Sequence, residues 1–392
     1  MCYRTANLFA RCYCMLPRVE HEPSTEQRKQ MLIIADDLIG DALVRMPLYA
    51  SLRVAFPRSE WHISIAVTSS VARLFARLPY FDSIVESPGI CNCCHSILWF
   101  LNRRYKVNSL LKWARQHRVD ILLNLVRVRS LGYDYMVRIL KPKAAFAYDT
   151  STIRRQYPMT GAYQERCCDM LYTHLIPVKA GTPQTDDLKT FLKCVVGSAW
   201  RLAPVATDDL TCMLDPCEEQ PVRPYIVVVP GASMLLRRWP LERFACVVDR
   251  LIPMMPPGAT AVAVGTRQEA DLGAALDRMT SGRIRNLCGR TTLSELGSLL
   301  KGASLVVTNE TGTATYAAVM GAPTVCIVGG GDFRSFFPTS FYKNTASVFR
   351  EAHCFFCGWH CIKGDGNHVA PCIQSVTPDE VVAAALKLLG RD

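Results

Sequence analysis

The sequence lacks the features that would place the chain across a membrane or on a nucleic acid. None of its apolar runs reaches the roughly 20 residues that span a bilayer, because Arg, Lys, Asp or Pro interrupts each of them. No helix-turn-helix, zinc-finger or aromatic strand pattern accompanies its basic residues, and no short-period repeat is present. These absences predict a globular or membrane-peripheral chain and exclude nucleic acid as the expected partner.

A secretion signal is also lacking. Residues 1–30 contain cysteines and prolines but no continuous apolar core followed by a small-residue cleavage site. We therefore predict a disordered N-terminal extension over residues 1–30. The 18 cysteines are scattered through a chain of 392 residues, which favours reduced thiols and a cytoplasmic location over a disulfide-bonded secreted domain.

The charge is unevenly distributed. The formal net charge is +11, and basic residues crowd the region between residues 103 and 155. A positive field captures anionic substrates faster and attracts acidic lipid surfaces. The sequence therefore predicts an anionic partner for the N-terminal half, with a solvated basic surface as the alternative for any single residue.

Apolar strand-like runs alternate with helical patterns along the whole chain. This alternation is typical of a doubly wound, mostly parallel α/β sheet, and the length allows two such domains. A stretch rich in Pro, Asp, Glu and Thr separates the two series. We predict an N-terminal α/β domain over 31–201, a linker over 202–224 and a C-terminal α/β domain over 225–392.

The clearest candidate site follows the apolar run that begins at Val306. There a strand pattern leads into Asn309-Glu310-Thr311-Gly312 and then into a small-residue helix. Backbone N–H groups at a helix start lack intrahelical partners, and the helix dipole favours negative charge there. The pattern predicts an anion site, with an ordinary strand-to-helix turn as the alternative.

Four cysteines near the C-terminus form a second candidate site: Cys354, Cys357, Cys361 and Cys372. Two, three and ten residues separate them, and turn-rich sequence lies between. Such spacing can close a tetrahedral thiolate site for zinc or iron, and free thiols are the alternative. Four protein ligands leave no open coordination position, so we expect a structural metal and no catalytic one.

Four sequence blocks follow one another along the chain, beginning at Ile39-Gly40-Asp41, Val229-Pro230-Gly231, Leu287-Cys288-Gly289 and Thr308-Asn309-Glu310. In their order and intervals they resemble glycosyltransferase family 9, the lipopolysaccharide heptosyltransferase family. The resemblance implies a GT-B fold, in which two Rossmann-like doubly wound domains face an interdomain cleft. It also implies inverting transfer of a sugar from a nucleotide diphosphate donor, commonly ADP-heptose. The C-terminal domain would hold the donor, and the N-terminal domain would hold the acceptor.

By resemblance, Asp41 is the candidate catalytic base, because the family carries an Asp in the loop between the first strand and the first helix. The alternative for Asp41 is a helix N-cap, which an Asp before a helix often provides. Asp36 and Asp37 are unusual, because family members more often carry a basic or small residue near Asp36. These two carboxylates are rivals of Asp41 for the catalytic role.

Five of the six predicted donor-binding residues belong to the second and fourth blocks, and Glu269 lies between the second and third blocks. The six residues are Ser233, Arg237, Glu269, Glu310, Thr311 and Gly312. Arg237 would grip diphosphate oxygens, as a guanidinium does through paired hydrogen bonds; the family usually has Lys there. Glu269 would hold the ribose hydroxyls or remain a solvated first-turn residue. The chain departs from the family at Glu310, where Asp is usual, and at Thr315, where His is frequent.

The sequence thus predicts an inverting glycosyltransferase, cytoplasmic or peripheral on the inner membrane. Its expected donor is ADP-heptose, and its expected acceptor is lipopolysaccharide core or a related anionic, lipid-linked molecule. One alternative is a protein O-heptosyltransferase that modifies autotransporters. Another is a catalytically silent nucleotide-binding module, which Thr315 favours.

Overall fold

A computed structural model describes residues 28–35, 38–87, 109–127, 129, 131–149, 169–179, 181–202, 205, 207–339, 341–362 and 368–390. Contacts divide the chain into two units. The first contains residues up to 38, residues 45–180 and residues 186–205. The second contains residues 39–44, 181–185 and 206–392. Most of the predicted extension, together with Asp36 and Asp37, lies outside the described residues.

The first unit contains a six-stranded parallel sheet in the order β3-β2-β1-β4-β5-β6. Its strands are β1 (Lys29–Ile34), β2 (Trp61–Thr68), β3 (Ser83–Ser87), β4 (Ile121–Asn124), β5 (Ala144–Asp149) and β6 (His174–Pro177). The helices of the N-terminal half are α1 (Ile39–Val44), α2 (Met46–Ala55), α3 (Ser69–Phe75), α4 (Ser109–Gln116), α5 (Leu131–Leu140) and α6 (Gln184–Val196). By its contacts, α1 belongs to the second unit.

The second unit contains another six-stranded parallel sheet, in the order β12-β11-β10-β7-β8-β9. Its strands are β7 (Tyr225–Val229), β8 (Thr260–Ala263), β9 (Ile284–Asn286), β10 (Leu305–Asn309), β11 (Thr324–Ile327) and β12 (Thr345–Val348). Its helices are α7 (Leu241–Leu251), α8 (Ala270–Met279), α9 (Leu293–Gly302), α10 (Gly312–Val319), α11 (Pro371–Gln374) and α12 (Pro378–Leu388).

Both sheets have the strand order of the doubly wound dinucleotide-binding fold, which confirms the predicted class. The apolar runs become strands because helices cover both faces of a parallel sheet. Every residue of β7 and β10 is buried, for example. Helix starts follow local signals: Thr292 with Glu295, and Thr377 with Glu380, form capping boxes at α9 and α12.

The first strand-to-helix segment differs from the sequence expectation. The pattern predicts a loop through Asp41 and one helix from Ala42 to Phe56. The structure instead has α1 beginning at Ile39 and a break at Arg45 before α2. Asp41 therefore lies inside the first turn of a helix. A helix of six residues has few intrahelical hydrogen bonds and depends on tertiary packing for its stability. Local sequence alone therefore does not reveal it.

Helices of the described residues show no candidate for a membrane span: none is both long enough and apolar enough. The domain boundaries predicted from the sequence stay predictions. The predicted linker contains a short 3-10 helix at Thr207–Met213.

Candidate functional site

The candidate site lies where β7 and β10 end side by side. These two strands are neighbours although the chain reaches β10 only after β8 and β9, so their boundary is the switch point at which ligands of such sheets bind. Asn309 fastens the two strand ends together. Its buried amide donates to the carbonyl of Pro230 at 2.8 Å and to that of Gly231 at 3.2 Å. Its Oδ1 accepts from the backbone N–H of Trp239 at 2.9 Å.

Arg237 ends a short 3-10 helix that follows the turn after β7. Its Nη2 donates to Oδ2 of Asp332 at 3.0 Å, and its guanidinium carbon lies 4.4 Å from the ring centroid of Trp359. The Nε atom of Arg237 is buried and has no hydrogen-bond partner among the described residues. Arg237, the residue predicted to bind the diphosphate, is therefore a fixed cation whose buried Nε–H has no partner among the described residues.

Glu310 lies one residue beyond β10 and is buried. Neither carboxylate oxygen makes a hydrogen bond of normal geometry with a described residue. Burial raises the pKa of Glu310 to about 8, and the charge of Asp332 acts in the same direction. The Arg237 guanidinium and the backbone amides of Gly329 and Phe337 oppose this shift only in part. The site therefore contains a buried carboxyl group that lacks a strong partner.

Helix α10 begins at the predicted anion loop, with Thr311 as its N-cap residue in extended backbone. The side chain of Thr311 makes no capping hydrogen bond, and its Oγ1 is buried without a partner among the described residues. The first amides of this eight-residue helix precede any intrahelical acceptor. The start of α10 thus presents backbone donors beside an unused hydroxyl.

Gly312 has a packing role that the sequence does not reveal. A Cβ atom at Gly312 would lie 2.7 Å from Cγ2 of Ile39 and 3.1 Å from the backbone nitrogen of Gly40. A Cβ atom at Gly40 would in turn lie 3.0 Å from Cα of Gly312 and 3.6 Å from Oγ1 of the buried Thr315. The glycine predicted to admit a phosphate is therefore also required by the contact between α1 and α10.

Asp41 is half-buried in the first turn of α1. Its Oδ1 accepts a hydrogen bond from Nε2 of Gln184 at 3.1 Å, and the backbone N–H of Gln184 donates to the carbonyl of Ser335 at 2.9 Å. Asp41 follows Ile39 and Gly40 within the helix, so it does not occupy the N-cap position that the sequence left open as its alternative role. Gln184 orients one carboxylate oxygen of Asp41.

Glu269 takes part in a capping box with Thr266. Its Oε2 accepts from the backbone N–H of Thr266 at 2.7 Å and from the hydroxyl at 2.9 Å. Its Oε1 lies 1.8 Å from where a Cβ of Gly231 would be, so a side chain at Gly231 would displace the Glu269 carboxylate. The capping box is a structural role that the sequence did not predict for Glu269, and Oε1 points to the turn after β7. Ser233, in the same turn, is exposed.

The four C-terminal cysteines line one small cavity of about 30 Å³, together with Trp359, Gly330 and Gly331. All four are partly buried free thiols, and burial raises the pKa of Cys357 and Cys372. Within the described ranges, no group of three or more His, Cys, Asp or Glu side chains is arranged to hold a metal ion. The structure gathers the predicted ligands around one cavity, and the metal itself stays a prediction.

Sequence reasoning missed Asn309, Asp332 and Trp359 as members of the site. Asn309 stands within a quoted block, so its polar side chain at the end of a buried strand was an available signal. The run Gly329-Gly330-Gly331 before Asp332 signals close backbone packing. Nothing local to Trp359 indicates its contact with Arg237, which is far away in the sequence.

Comparison with known proteins places the chain in a family. The model of glycosyltransferase family 9 (heptosyltransferase) matches residues 181–355. Lipopolysaccharide heptosyltransferase 2 of Escherichia coli (strain K12) is 30% identical over 375 residues, which cover 92% of this chain and 98% of the relative.

Solved structures show the same fold. The E. coli ADP-heptose lipopolysaccharide heptosyltransferase II is similar with a TM-score of 0.64 at 17% identity, over 92% of this chain and 99% of that one. The iron-containing dodecameric glycosyltransferase TibC of enterotoxigenic E. coli is similar with a TM-score of 0.52 at 12% identity, over 94% of this chain and 80% of that one. The likeness confirms the GT-B fold, and the relative at 30% identity shows the family: this chain belongs to glycosyltransferase family 9 and is a glycosyltransferase.

Proposed function

We propose that this enzyme transfers a heptose from ADP-heptose, with inversion, to a hydroxyl of lipopolysaccharide core or a related cell-envelope acceptor. Membership of the family supports this proposal, as does the similarity to lipopolysaccharide heptosyltransferase 2 of E. coli. ADP-heptose is the donor named for the similar heptosyltransferase II.

The observation that carries the proposal is a cluster of buried polar side-chain atoms at the carboxyl edge of the C-terminal sheet, which make no hydrogen bond of normal geometry with the described residues. The cluster contains Nε of Arg237, both carboxylate oxygens of Glu310 and Oγ1 of Thr311. A buried donor or acceptor left unpaired costs about 1–3 kcal/mol, so four such atoms in one place are expected to receive a polar ligand. A sugar diphosphate offers both hydroxyls and anionic oxygens.

In the proposed mechanism Asp41 is the general base. Its carboxylate takes the proton of the acceptor hydroxyl while the acceptor oxygen forms a bond to the anomeric carbon of the donor sugar. The bond between that carbon and the diphosphate oxygen breaks, and its electron pair leaves with ADP. A single displacement from the opposite face inverts the anomeric configuration. Gln184 keeps one oxygen of Asp41 occupied and leaves the other for the proton.

The donor would be held by the ends of β7 and β10. Arg237 and the first amides of α10, at Thr311 and Gly312, would stabilise the charge that grows on the departing diphosphate. Glu310 would accept hydrogen bonds from sugar hydroxyls. Oε1 of Glu269 would accept from the ribose, and exposed Ser233 would contact the phosphates.

The proposed acceptor is anionic and lipid-linked, and the proposed location is the cytoplasmic face of the inner membrane. The support is the excess of basic residues in the N-terminal half, above all between residues 103 and 155.

Cys354, Cys357, Cys361 and Cys372 are proposed to hold a structural zinc or iron ion. The support is that the four thiols line one cavity and form the donor set that such ions take. A bound ion would cross-link the segment from Cys354 to Cys361 to Cys372, and no catalytic step is assigned to it.

The test is calorimetric titration with ADP, UDP, GDP and ADP-heptose, followed by mass spectrometry of mixtures with two acceptors. The acceptors are a core oligosaccharide that lacks heptose and an autotransporter passenger domain. We expect selective binding of ADP-heptose and transfer to the oligosaccharide. Transfer to the protein acceptor would favour the autotransporter alternative, binding without transfer would favour the silent module, and binding of none would overturn the proposal.

Two variants separate chemistry from binding. Asp41→Asn should lower kcat by roughly a hundredfold or more while donor affinity stays near that of the wild type. Arg237→Ala should weaken donor binding, and Arg250→Ala is the matched control, because Arg250 lies on helix α7 and forms an exposed ion pair with Asp379. An Asp41→Asn enzyme with wild-type turnover would remove Asp41 from the mechanism.

A further inference from the structure

The segment from Cys354 to Cys361 is called the cysteine loop below. Trp359 lies in this loop, between Cys357 and Cys361, in an unusual backbone conformation. Its φ is +64°, and its side chain is buried with 7% of the residue exposed. A bulky residue in the left-handed region is uncommon and costs of order 1 kcal/mol or more. The backbone is therefore strained at Trp359, the residue whose indole is buried.

The indole of Trp359 holds Arg237, the residue predicted to bind the diphosphate, in two ways. Its Nε1–H donates to Oδ2 of Asp332 at 2.9 Å, and the same oxygen accepts from Nη2 of Arg237 at 3.0 Å. The face of the ring lies 4.4 Å from the guanidinium carbon of Arg237. One side chain thus holds Arg237 directly, by a cation–π contact, and indirectly, by fixing its carboxylate partner.

The segment before Asp332 is shaped to receive this indole. A Cβ at Gly331 would lie 2.2 Å from the Trp359 ring atom Cδ2, and a Cβ at Gly329 would lie 2.6 Å from Cη2. Two backbone hydrogen bonds secure the loop: Phe356 N–H to the carbonyl of Gly330 at 2.6 Å, and Gly358 N–H to that of Gly331 at 3.0 Å. The indole fills the space that the glycines leave.

We propose that Trp359 is a positioning residue for donor binding, acting through Arg237. Its two contacts hold the guanidinium in place while Nε of Arg237 remains available to a phosphate oxygen of the nucleotide sugar. A cation that is already fixed loses less conformational freedom when the ligand binds, so affinity increases without a new contact to the ligand. This inference rests on the role proposed above for Arg237.

The test is the Trp359→Phe enzyme, which keeps an aromatic ring in the glycine-lined space and loses the N–H donor together with part of the ring area. We expect the donor KM to rise about three- to tenfold with a smaller fall in kcat, because Arg237 contacts the diphosphate both in the bound donor and as it departs, while the base is untouched. Trp359→Leu removes the ring as well and should raise KM further.

A double-mutant cycle tests the route through Arg237. In an Arg237→Ala background, Trp359→Phe should change the dissociation constant for ADP by less than about twofold, because the group that it positions is gone. Equal effects in both backgrounds would overturn the positioning role. If Arg237→Ala itself leaves ADP binding unchanged, the proposed donor site fails instead, so the two failures are distinguishable.

Two further variants separate positioning from general stability. Tyr225 is a buried aromatic residue of the same unit, at the start of β7, and its hydroxyl donates to the carbonyl of Leu299 at 2.8 Å. Tyr225→Phe should lower the melting temperature and leave the donor KM unchanged. Asp332→Asn should raise the donor KM in the same direction as Trp359→Phe. Equal KM increases in Tyr225→Phe and Trp359→Phe would assign the effect to stability and overturn the proposal.

Discussion

Glu310 shows how one residue can combine a binding role with a stability cost. Its pKa of about 8 lies above the ordinary value of 4.5, because burial disfavours the carboxylate. Between these two values the folded chain holds a proton that the unfolded chain has released. Stability therefore falls as the pH rises through this window. A protonated carboxyl group can still accept hydrogen bonds, so Glu310 need not be charged to bind the hydroxyl groups of a sugar.

The variant Glu310→Gln tests this account. Glutamine does not titrate, so the variant should gain melting temperature relative to the wild type as the pH rises from 5 to 8, and donor binding should weaken at every pH. Melting curves at several pH values provide the measurement. Glu380→Gln is the control. Hydrogen bonds from Thr377 and Arg350 lower the pKa of Glu380, despite the opposing effect of burial, so its contribution to stability changes only below the ordinary value of 4.5, and this variant should run parallel to the wild type from pH 5 to 8. Parallel pH profiles for wild type and Glu310→Gln would contradict the account.

The sequence predicts residues of the site where chemistry and local pattern coincide. Thr311 and Gly312 follow a buried strand and begin a helix, and Arg237 follows a glycine turn, so each was available from the sequence. Trp359 and Asp332 were not, because their role depends on a contact between two loops brought together only by the folded sheet. Local patterns carry no information about which distant side chain a loop will reach.

At the scale of elements, the pair α1 and α10 shows the same limit. The sequence indicates a loop at Asp41, whereas contact with α10 accompanies a helical turn that begins at Ile39. Two glycines, Gly40 and Gly312, let the two helices approach each other. Phosphate binding alone would explain Gly312 from the sequence, and the structure adds a packing reason.

Gly312→Ala separates these two reasons. The added methyl group would lie 2.7 Å from Cγ2 of Ile39, and overpacking of this kind destabilises by about 1–3 kcal/mol. We expect a lower melting temperature even without nucleotide, measured by thermal or urea unfolding. Ile39→Ala in the same chain should recover part of the loss, because it removes that contact. An unaltered melting temperature in Gly312→Ala would mean that the glycine serves the ligand and not the packing.

At the scale of the whole molecule, the alternation of strands and helices predicted two doubly wound units, and both sheets have the expected strand order. Periodicity succeeds here because each buried strand must be apolar and each covering helix amphipathic. Hydrophobic periodicity does not predict the strand order, because the order depends on how the crossover connections join the strands. The order also fixes where the sheet can bind a ligand, so the β7–β10 boundary was a finding of the structure.

The cysteine loop connects this boundary to the C-terminal end of the chain. Cys354, Cys357 and Cys361 precede α11, and Cys372 lies within it. An ion bound by all four would tie the loop that carries Trp359 to the helices that complete the C-terminal core. Metal binding would then contribute to the stability of the whole C-terminal unit.

We therefore predict about one zinc or iron ion per purified chain, measured by elemental analysis. Removal with a chelator should lower the melting temperature by roughly 5 °C or more, because a structural ion contributes several kcal/mol to folding. Cys372→Ser should lower both metal content and melting temperature. Cys246→Ser, at an exposed thiol on α7, is the matched control and should change neither. Equal metal content in Cys372→Ser and wild type would place any ion elsewhere, and a metal-free chain of unchanged stability would show that the four thiols are free.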